Sequence, residues 1–433
     1  MNQTEWTRDQ VEEMLRSGDF GYQRIELPYG LRTGGKDRSE TARRIFPDDM
    51  TGKTVLDLGC KLGYFCFEAL KRGASRALGV DVDPDSIRKA RLLSDCLGWK
   101  ASFELLDFET EPIEDEFDYV LCLNLLHHLK NPISALEKLI SVTREKMILE
   151  VAALGKHDRR KLKISPFTGS LLNRSPLMFV NKNGTSGSRK EQKFFITAPA
   201  MENLLLYQRK MFARVDILPS EHKHRYIAIA HKRRIDWLVV VTGPTSSGKT
   251  TLMEKLLRNE APEVTERLDM GEPSAWTHSG SHQLKKLTEP KVERLLFHYD
   301  FLRPYLRSAK VHKRDEALDI LQIANRVTFL TIWRPPEALR RQLRQSEIEP
   351  LTKRGVFKGK KRHLAILKDY EDPEKVLSHY RNWFDFARRI DADHVVVSFE
   401  DGCRFRTVEE WEREAPLECF QEAQIQPFVR EGA

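Results

Sequence analysis

The segment VLDLGCKLGYF (55–65) decides the fold of the first half of the chain. An apolar run up to Leu58 predicts a short strand, and the residues from Tyr64 onward are typical of a helix. Between them, Gly59 and Gly63 let the backbone approach a bound ligand at places where a Cβ atom would clash. Asp57 lies near the strand end, where its carboxylate can orient the turn or accept a hydrogen bond from a ligand amine. The segment therefore predicts a strand, a ligand-binding turn and a helix.

The same alternation continues to residue 150 and predicts an α/β fold with a parallel sheet built from βαβ units. The predicted strands are TVLDLG (54–59), ALGVDV (77–82), SFELLD (102–107), DYVLCLN (118–124) and KMILEVA (146–152), and the predicted helices are FCFEALKRG (65–73), DSIRKARLLSDCLG (85–98) and PISALEKLISVT (132–143). Residues 151–190 are expected to be rich in loops. The runs ARVDILPS (213–220) and RYIAIAHK (225–232) predict an antiparallel hairpin that closes the first domain.

Acidic residues end three successive predicted strands and favour an adenosyl ligand. Asp81 stands at the position where an acid accepts hydrogen bonds from both ribose hydroxyls. Asp107 is placed to receive the amino group of an adenine. A dinucleotide site would require G-x-G-x-x-G, whereas this turn is D-x-G-x-x-x-G. S-adenosyl-L-methionine has no pyrophosphate, so the turn suits it better.

Residues 50–150 resemble a class I S-adenosylmethionine-dependent methyltransferase with a Rossmann-like fold. More narrowly, IELPYGLRTGG (25–35) and FDYVLCLNLLHHLKNP (117–132) are similar to the branch that includes the tRNA wobble-uridine carboxymethoxy methyltransferases. The resemblance implies that Asp57, Gly59 and Gly63 bind the methionine and adenosine side of the donor. It also implies Asp81 on the ribose and Asp107 near the adenine.

Asn124 and His128 are the candidate catalytic residues of this first site. They follow the fourth predicted strand, where substrate would meet the methyl group, and an imidazole titrates near neutrality. The resemblance aligns His128 with a histidine of the family, while His127 replaces a tyrosine. A histidine packed beneath the crevice is the alternative interpretation for either residue.

The segment GPTSSGKT (243–250) matches the phosphate-loop pattern G-x-x-x-x-G-K-[ST] and lies between an apolar strand and a helix, as that pattern requires. We predict that it binds ATP with Mg²⁺, because backbone amides and a helix N-terminus can surround a phosphate. Lys249 would reach the β- and γ-phosphates, and Thr250 would coordinate the metal. The predicted nucleotide-binding residues are Gly243, Ser246, Ser247, Gly248, Lys249, Thr250 and Thr251.

The sequence after this loop resembles small-molecule or nucleotide kinases. RLLFHYDFLRPY (294–305) predicts a strand ending in Asp300, which would hold Mg²⁺ or deprotonate an acceptor, with Arg303 just beyond it. VTFLTIWRPPEALRRQLRQ (327–345) predicts a strand and an arginine-rich helix, and KRGVFKGKKRH (353–363) would suit a lid or an anionic acceptor. Arg340, Arg341 or Arg344 could neutralise phosphate charge, although for any single one of them an exposed helix face is the favoured explanation.

Positive charge is concentrated in one stretch of the chain. Of the net charge of +8, residues 151–234 carry +13, from 18 basic and 5 acidic side chains. A basic surface predicts an anionic partner such as RNA or a phosphorylated glycan. A solvated lysine-rich loop and hairpin is the alternative.

Composition excludes several classes of protein. A hydrophobic content of 40% excludes disorder throughout the chain, and no apolar run is long enough to span a membrane. The N-terminus has no signal pattern, and the six cysteines form no C-x-x-C pair. We therefore expect a cytoplasmic protein with reduced thiols.

Together these features predict a bifunctional enzyme with two α/β domains. Residues 1–234 would form the methyltransferase domain, with its core at 50–150 and a basic segment at 151–234. Residues 235–433 would form a P-loop NTPase or kinase-like domain. Two other interpretations remain: a methyltransferase with a regulatory ATP-binding module that transfers no phosphate, and an RNA-binding protein dominated by its basic segment.

Overall fold

The chain divides into two compact units, Met1–Arg233 and Arg234–Ala433. The computed structural model describes residues 6–155, 159–160, 163–182, 192–207, 211–278, 290–302, 316–350, 360–390 and 392–424. Each unit has its own main sheet and its own apolar core.

The first unit contains nine strands, seven α-helices and two short 3-10 helices, Pro28–Gly30 and Leu126–His128, with bounds given among its described residues. The strands are β1 (Thr54–Leu58), β2 (Arg76–Asp81), β3 (Ser102–Leu105), β4 (Phe117–Leu123), β5 (Thr143–Ala152), β6 (Met178–Lys182), β7 (Gln192–Ile196), β8 (Phe212–Pro219) and β9 (Arg225–Lys232). The helices are α1 (Arg8–Ser17), α2 (Ser39–Ile45), α3 (Tyr64–Lys71), α4 (Pro84–Leu97), α5 (Pro132–Val142), α6 (Pro166–Arg174) and α7 (Ala198–Tyr207).

The main sheet of this unit has the order β3-β2-β1-β4-β5-β9-β8. Strands β1 to β5 are mutually parallel, as the alternating pattern predicts, and β9 pairs antiparallel with both β5 and β8. The predicted terminal hairpin is thereby confirmed. Because β1 to β5 are parallel, their carboxyl ends lie at one edge of the sheet, where open α/β sheets bind ligands.

Local sequence explains where the helices of this unit begin and end. At α4, the Asp83 side chain accepts a hydrogen bond from the backbone N–H of Asp85, Pro84 fills the first turn, and Gly98 ends the helix at a left-handed φ of 65°. At α5, Asn131 provides the same kind of cap to Ser134. Because of these signals, the bounds predicted for α4 and α5 from the sequence are close to the observed ones.

The expectation that residues 151–190 are mainly loop is wrong in part. Within the segment SPFTGSLLNRSP (165–176), α6 begins after Ser165, whose hydroxyl caps the backbone N–H of Thr168, and it has a proline in its first turn. Strand β6 follows and pairs antiparallel with β7 as a separate two-stranded sheet. The serine and the proline, which were interpreted as loop residues, are helix-starting signals here.

The second unit contains six strands, six α-helices, a 3-10 helix (Glu316–Ile323) and a π-helical segment (Arg344–Ile348) with bounds given among its described residues. The strands are β10 (Arg234–Gly243), β11 (Ala275–His278), β12 (Lys291–Asp300), β13 (Ala324–Ile332), β14 (Asp393–Ser398) and β15 (Arg404–Arg406). The helices are α8 (Lys249–Leu257), α9 (Pro262–Leu268), α10 (Pro336–Leu343), α11 (Lys360–Tyr370), α12 (Pro373–Ala387) and α13 (Val408–Gln424).

The sheet of the second unit has the order β11-β12-β10-β13-β14-β15. Its first five strands are parallel, and β15 is antiparallel to β14. The central strand β10 is almost wholly buried, as expected for a parallel strand covered on both faces. Aromatic rings pack closely beside the sheet. For example, the ring centroids of Trp333 and Trp411 lie 5.3 Å apart, and those of Phe329 and Trp383 lie 5.2 Å apart.

Among the described residues, no helix is both long and apolar enough to cross a bilayer. All six cysteines are unpaired thiols, and five of them are buried.

Candidate functional site

The turn after β1 is shaped by three residues with left-handed backbone, Gly59 (φ 72°), Lys61 (φ 51°) and Gly63 (φ 83°). A Cβ atom on Gly63 would lie 2.5 Å from the ring of Phe103, so this glycine allows α3 to pack close to β3. A Cβ on Gly59 would meet only the Leu125 side chain, at 3.4 Å. Gly59 is therefore required by the turn itself, and Gly63 by both the turn and the packing behind it.

The acid at the end of β2 supports this turn. Asp81 is 5% exposed, and its carboxylate accepts hydrogen bonds from the backbone N–H groups of Lys61 (3.1 Å) and Asp83 (3.0 Å). Asp107 lies two residues beyond β3, where it is partly exposed and accepts a hydrogen bond from the Glu109 N–H at 3.0 Å.

Asp57 is the most unusual acid of this group. It is 2% exposed, and among the described residues its Oδ2 has no hydrogen-bond partner. Burial, aided by the charge of Asp81 and opposed by that of Arg38, raises the pKa of Asp57 to about 8. A buried carboxyl group without a partner is stabilised as a carboxylate when a cation binds beside it. Asp57 is therefore suited to hold a ligand ammonium group.

A cavity of about 280 Å³ opens beside Asp57. It brings together four of the predicted residues, Asp57, Gly59, Asn124 and His128, whereas Asp81, Gly63 and Asp107 lie outside its lining. The other lining residues are Gly21, Tyr22, Gln23, Lys36, Arg38, Phe65, Leu123, His222 and Arg225.

A buried carboxylate, Glu150 on β5, organises one wall of this cavity. It is fully buried and accepts hydrogen bonds from Arg38 Nη2 at 2.7 Å, from Asn124 Nδ2 at 2.6 Å and from the Ser220 hydroxyl. Burial alone would raise the pKa of Glu150, but the charge of Arg38 and these hydrogen bonds outweigh it and hold the pKa below its usual value. Glu150 is thus an ionised group that fixes the positions of its donors.

Asn124 connects Glu150 to a second arginine. The residue has a left-handed backbone (φ 60°), and while its amide nitrogen donates to Glu150, its oxygen accepts from Arg225. Both ends of the Asn124 side chain are therefore engaged, and the arrangement directs Arg225 at the cavity. Asn124 acts in this structure as a positioning residue.

Sequence reasoning missed Arg38, Glu150, His222 and Arg225. One signal was available, because Glu150 interrupts the apolar strand KMILEVA and a buried acid requires a partner. Its partner Arg38 is 112 positions away along the chain, which no local pattern reveals. The Nε2 atom of His222 lies 2.7 Å from Arg38 Nη1, and burial lowers the pKa of this histidine, so the ring is a neutral acceptor.

The structure distinguishes the two adjacent histidines. His127 is 1% exposed, whereas His128 is exposed and lines the cavity, and their ring centroids lie 4.1 Å apart. They lie in a short 3-10 helix, Leu126–His128, directly after β4. Of the two, only His128 is placed to meet a substrate.

The loop between β10 and α8 surrounds the amino group of Lys249. This residue is 4% exposed, and its Nζ donates to the carbonyl oxygens of Gly243 (3.0 Å) and Pro244 (2.6 Å). Burial lowers the pKa of Lys249, and the nearby carboxylate of Asp300 opposes that shift. Gly248 has a φ of 96° with nothing within 4 Å of a Cβ, so only its backbone conformation requires glycine.

Asp300 lies beside this loop because β12 pairs in parallel with β10 and places Asp300 opposite Gly243. Its Oδ2 accepts from the Thr245 hydroxyl at 2.7 Å and lies 3.9 Å from Lys249 Nζ. The carbonyl of Thr245 in turn accepts from Tyr370 of α11 at 2.7 Å. The loop is therefore held by a carboxylate on one side and a tyrosine on the other.

The remaining predicted residues of the loop differ in exposure. Thr250 and Thr251 are exposed at the start of α8, and Thr250 Oγ1 lies 3.5 Å from the Nε2 atom of His298. Ser247 is buried, and the Ser246 hydroxyl has no hydrogen-bond partner among the described residues. No cluster of three or more His, Cys, Asp or Glu residues in the described part of the chain is arranged to hold a metal ion.

The arginine-rich helix α10 follows β13 as predicted. Arg340 donates to Glu337 of the same helix at 3.3 Å, while Arg341 and Arg344 are exposed. Arg303 and residues 353–359 of the predicted lid lie outside the described residues.

Comparison with known proteins identifies the kind of domain that contains the first site. Residues 49–165 match a family model described as a methyltransferase domain. This match covers the glycine turn, Asp57, Asp81 and the wall that carries Glu150. The first unit contains a methyltransferase domain of class I.

Two curated relatives of this domain support that assignment. A tRNA U34 carboxymethyltransferase of Campylobacter hominis is 35% identical over 94 residues, which are 22% of this chain and 33% of the relative. A ribosomal protein L11 methyltransferase of Escherichia coli is 38% identical over 94 residues, which are 22% of this chain and 31% of the relative. The chain thus spans about a third of the length of these relatives.

Solved structures show weaker similarity. A magnesium protoporphyrin IX methyltransferase of Synechocystis with bound SAH is 19% identical with a TM-score of 0.33, over 45% of this chain and 81% of that protein. A methyltransferase of Methanosarcina mazei is also 19% identical, with a TM-score of 0.32, over 44% of this chain and 96% of that protein.

Proposed function

We propose that the first unit transfers a methyl group from S-adenosyl-L-methionine to an acceptor bound in the cavity beside Asp57. The observation that carries this proposal is the buried Asp57 Oδ2, which has no hydrogen-bond partner in the described part of the chain and lies beside the cavity at a glycine turn. The donor brings a matching cation, since its methionine part has an ammonium group. The sequence identity of this domain with two curated methyltransferases, 35% and 38% over 94 residues, supports the same proposal.

The residues of this chain fit the donor. Asp57 would hold its ammonium group, Asp81 its ribose hydroxyls and Asp107 the region of its adenine, with Gly59 and Gly63 shaping the turn between them. S-adenosyl-L-methionine supplies a methyl group activated by a sulfonium centre. The protein then contributes mainly alignment, because displacement from a sulfonium requires the nucleophile to lie in line.

His128 and Asn124 serve the acceptor side. His128 lines the cavity and can accept the proton of an acceptor hydroxyl or amine at its imidazole. Asn124 positions Arg225 through its paired hydrogen bonds, so its effect on the reaction is indirect.

The acceptor in this proposal is anionic. Lys36 and Arg225 line the cavity, and the ionised Glu150 balances Arg38. Residues 151–234 add the largest concentration of positive charge in the chain. RNA or a phosphorylated glycan end has the matching charge. The name of the first relative, which specifies tRNA, favours RNA of the two.

Calorimetry on the full chain tests the methyltransferase proposal. S-adenosyl-L-methionine should bind with a stoichiometry of one, and radiolabelled donor should methylate total RNA in a reaction that His128→Ala slows. Absence of binding heat for the donor in the intact protein would contradict the proposal. A flat salt dependence of RNA binding would contradict only its anionic acceptor.

For the second unit we propose phosphoryl transfer from Mg²⁺-bound ATP. The supporting observation is the loop Gly243–Lys249 between a central parallel strand and a helix, with Asp300 on the adjacent strand. Lys249 would exchange its two carbonyl partners for phosphate oxygens, and Thr250 would coordinate Mg²⁺. In the transfer, the bond from the γ-phosphorus to ADP breaks as an acceptor hydroxyl oxygen bonds to that phosphorus, and the hydroxyl proton passes to Asp300.

A regulatory ATP-binding module is the rival function for this unit. Such a module binds ATP and alters methyl transfer without transferring phosphate. Asp300→Asn separates the two, since phosphoryl transfer should fall strongly while ATP binding remains. If ATP changes the methylation rate and this change is the same in Asp300→Asn, with no phosphorylated product from the wild type, the regulatory function is correct.

A further inference from the structure

The second unit contains another cavity, of about 620 Å³, beside the helix that follows the phosphate loop. One wall is a face of α8 formed by Thr250, Met253, Glu254 and Leu257, with Arg258 directly after the helix. The spacing of these residues, three or four apart, places them on one side of the helix. Its volume lies in the range of about 300–1,000 Å³ that small-molecule sites occupy in proteins.

The sheet supplies the other lining residues. These are Trp276 on the edge strand β11, which is 47% exposed, and His298 on β12. Leu257 is 37% exposed, whereas Met253 is buried at 3%. The cavity therefore combines a half-exposed indole with the apolar side chains of Met253 and Leu257. Glu254 and Arg258, both exposed, add opposite charges at its rim.

The cavity is continuous with the proposed phosphate site. Thr250 belongs both to the cavity lining and to the phosphate-loop pattern, where its hydroxyl serves the metal at the β- and γ-phosphates. From Thr250 to Leu257 the helix rises about 10 Å, at about 1.5 Å per residue, so this wall is long enough for a molecule of the size of a nucleoside or an aryl glycoside. A molecule lying along this wall would present one end to the γ-phosphoryl group.

We propose that this cavity binds the phosphoryl acceptor, and that the acceptor is a small molecule carrying an aromatic ring and a free hydroxyl. The ring would stack on Trp276 between Met253 and Leu257, because indole faces bind flat rings through offset stacking. The hydroxyl would point to the Thr250 end, where the transfer described above takes place. This inference rests on the proposed phosphoryl transfer and extends it to the class of acceptor.

The location at Thr250 favours the acceptor over the base of ATP itself. Thr250 would coordinate the Mg²⁺ at the β- and γ-phosphates, whereas the base lies at the far end of the nucleotide. Of the residues of the phosphate loop, only Thr250 lines this cavity. If the cavity instead binds the base of ATP, Trp276→Ala should lose affinity for ATP, and the experiment below includes this measurement.

Ligand-observed NMR on the full chain, with the Mg²⁺ complex of a non-hydrolysable ATP analogue present, tests the proposal. The probes are adenosine, guanosine and 4-nitrophenyl β-glucoside. At least one probe should bind the wild type, with an affinity that falls about tenfold or more in Trp276→Ala, as expected for the loss of a stacked ring. Trp276→Phe should restore most of it. Phe399→Ala is the matched control, since Phe399 is also a half-exposed aromatic of this unit, at 42%, outside the cavity lining.

Three results would overturn the acceptor site. They are binding of none of the probes, equal effects of Trp276→Ala and Phe399→Ala, and a loss of ATP affinity in Trp276→Ala, which would make the cavity the nucleotide-base site. Calorimetry with Mg²⁺-ATP and Lys249→Ala separates this inference from the function on which it rests. If Lys249→Ala binds ATP as well as the wild type does, the phosphate-site proposal itself fails, whatever the probes show.

Discussion

The two glycine loops, one after β1 and one after β10, have the same local architecture and opposite electrostatic character. Each follows a parallel strand, contains residues with left-handed backbone and leads into a helix. The first loop lies beside the buried acids Asp57 and Asp81, and the second surrounds the buried amine of Lys249. The backbone geometry is therefore shared, and the charged side chain beside each loop differs in sign.

This difference indicates what each loop can bind. A carboxyl group with a raised pKa is stabilised in its charged form by a cation, and a buried lysine by an anion. The first loop thus suits the ammonium group of a sulfonium donor, and the second suits phosphate. We therefore propose that the same strand–turn–helix unit serves two chemistries, because one or two buried side chains set its local charge.

Removal of Glu150 should give the largest effect on the first site. Glu150→Ala would leave Arg38 buried without its carboxylate, and breaking a buried ion pair in this way costs about 3–5 kcal/mol of stability. Chemical denaturation should show this loss in the unfolding of the first unit. Glu12→Ala is the control; it removes an exposed ion pair with Arg8, which contributes little to stability. Equal losses in the two variants would contradict the structural role of Glu150.

Lys249→Ala should weaken ATP binding by about 100-fold, since hydrogen bonds to a charged group contribute about 1.5–3 kcal/mol each. Binding of S-adenosyl-L-methionine should not change. Titration with a fluorescent ATP analogue measures the first quantity, and Lys255→Ala, on the same helix, provides the control. A loss of donor affinity in Lys249→Ala would contradict the separation of the two sites.

Asp57→Asn should weaken donor binding by about tenfold, because the neutral amide keeps the shape of the carboxyl group but loses its charge for the ligand ammonium. ATP binding should remain as in the wild type. Asp48→Asn replaces an exposed carboxylate of the same unit and should leave both affinities unchanged. If Asp57→Asn binds the donor normally, Asp57 does not hold the ammonium group.

The raised pKa of Asp57 also predicts an effect on stability that depends on pH. Between the usual pKa of 3.8 and the raised value of about 8, the folded protein binds a proton that the unfolded chain releases. The free energy of unfolding of the wild type should therefore fall relative to that of Asp57→Asn as pH rises through this range, and the difference should level off above it. Denaturation of both variants at several pH values measures this difference. A difference that does not vary with pH would contradict the raised pKa.

Much of the fold could be predicted from sequence, because its signals are local. The parallel strands are apolar runs bounded by glycine or acid residues, and α4 and α5 carry proline and capping residues at their first turns. Helix α6 was missed because its serine, proline and glycine are equally common in loops. The pairing of β8 with β9 was predictable since only a short polar turn separates them.

The site could be predicted only where its residues belong to a motif. Asp57, Gly59 and Lys249 lie in short sequence patterns in which the physical role of each residue type is known. Arg38, Glu150 and Arg225 meet through contacts between distant parts of the chain, and the exposure of Trp276 depends on its position on an edge strand. The sequence contains these residues, but their proximity is a property of the folded sheet.

One sequential calorimetric titration tests the central claim, which is that two loops of opposite charge bind two different ligands. The full chain is first saturated with S-adenosyl-L-methionine and then titrated with Mg²⁺-ATP in the same cell. We expect a stoichiometry of one for each ligand. We also expect ATP to bind the donor complex of the wild type with the same affinity as it binds Asp57→Asn in the absence of donor. Displacement of the donor by ATP, or the absence of binding by either ligand, would contradict it.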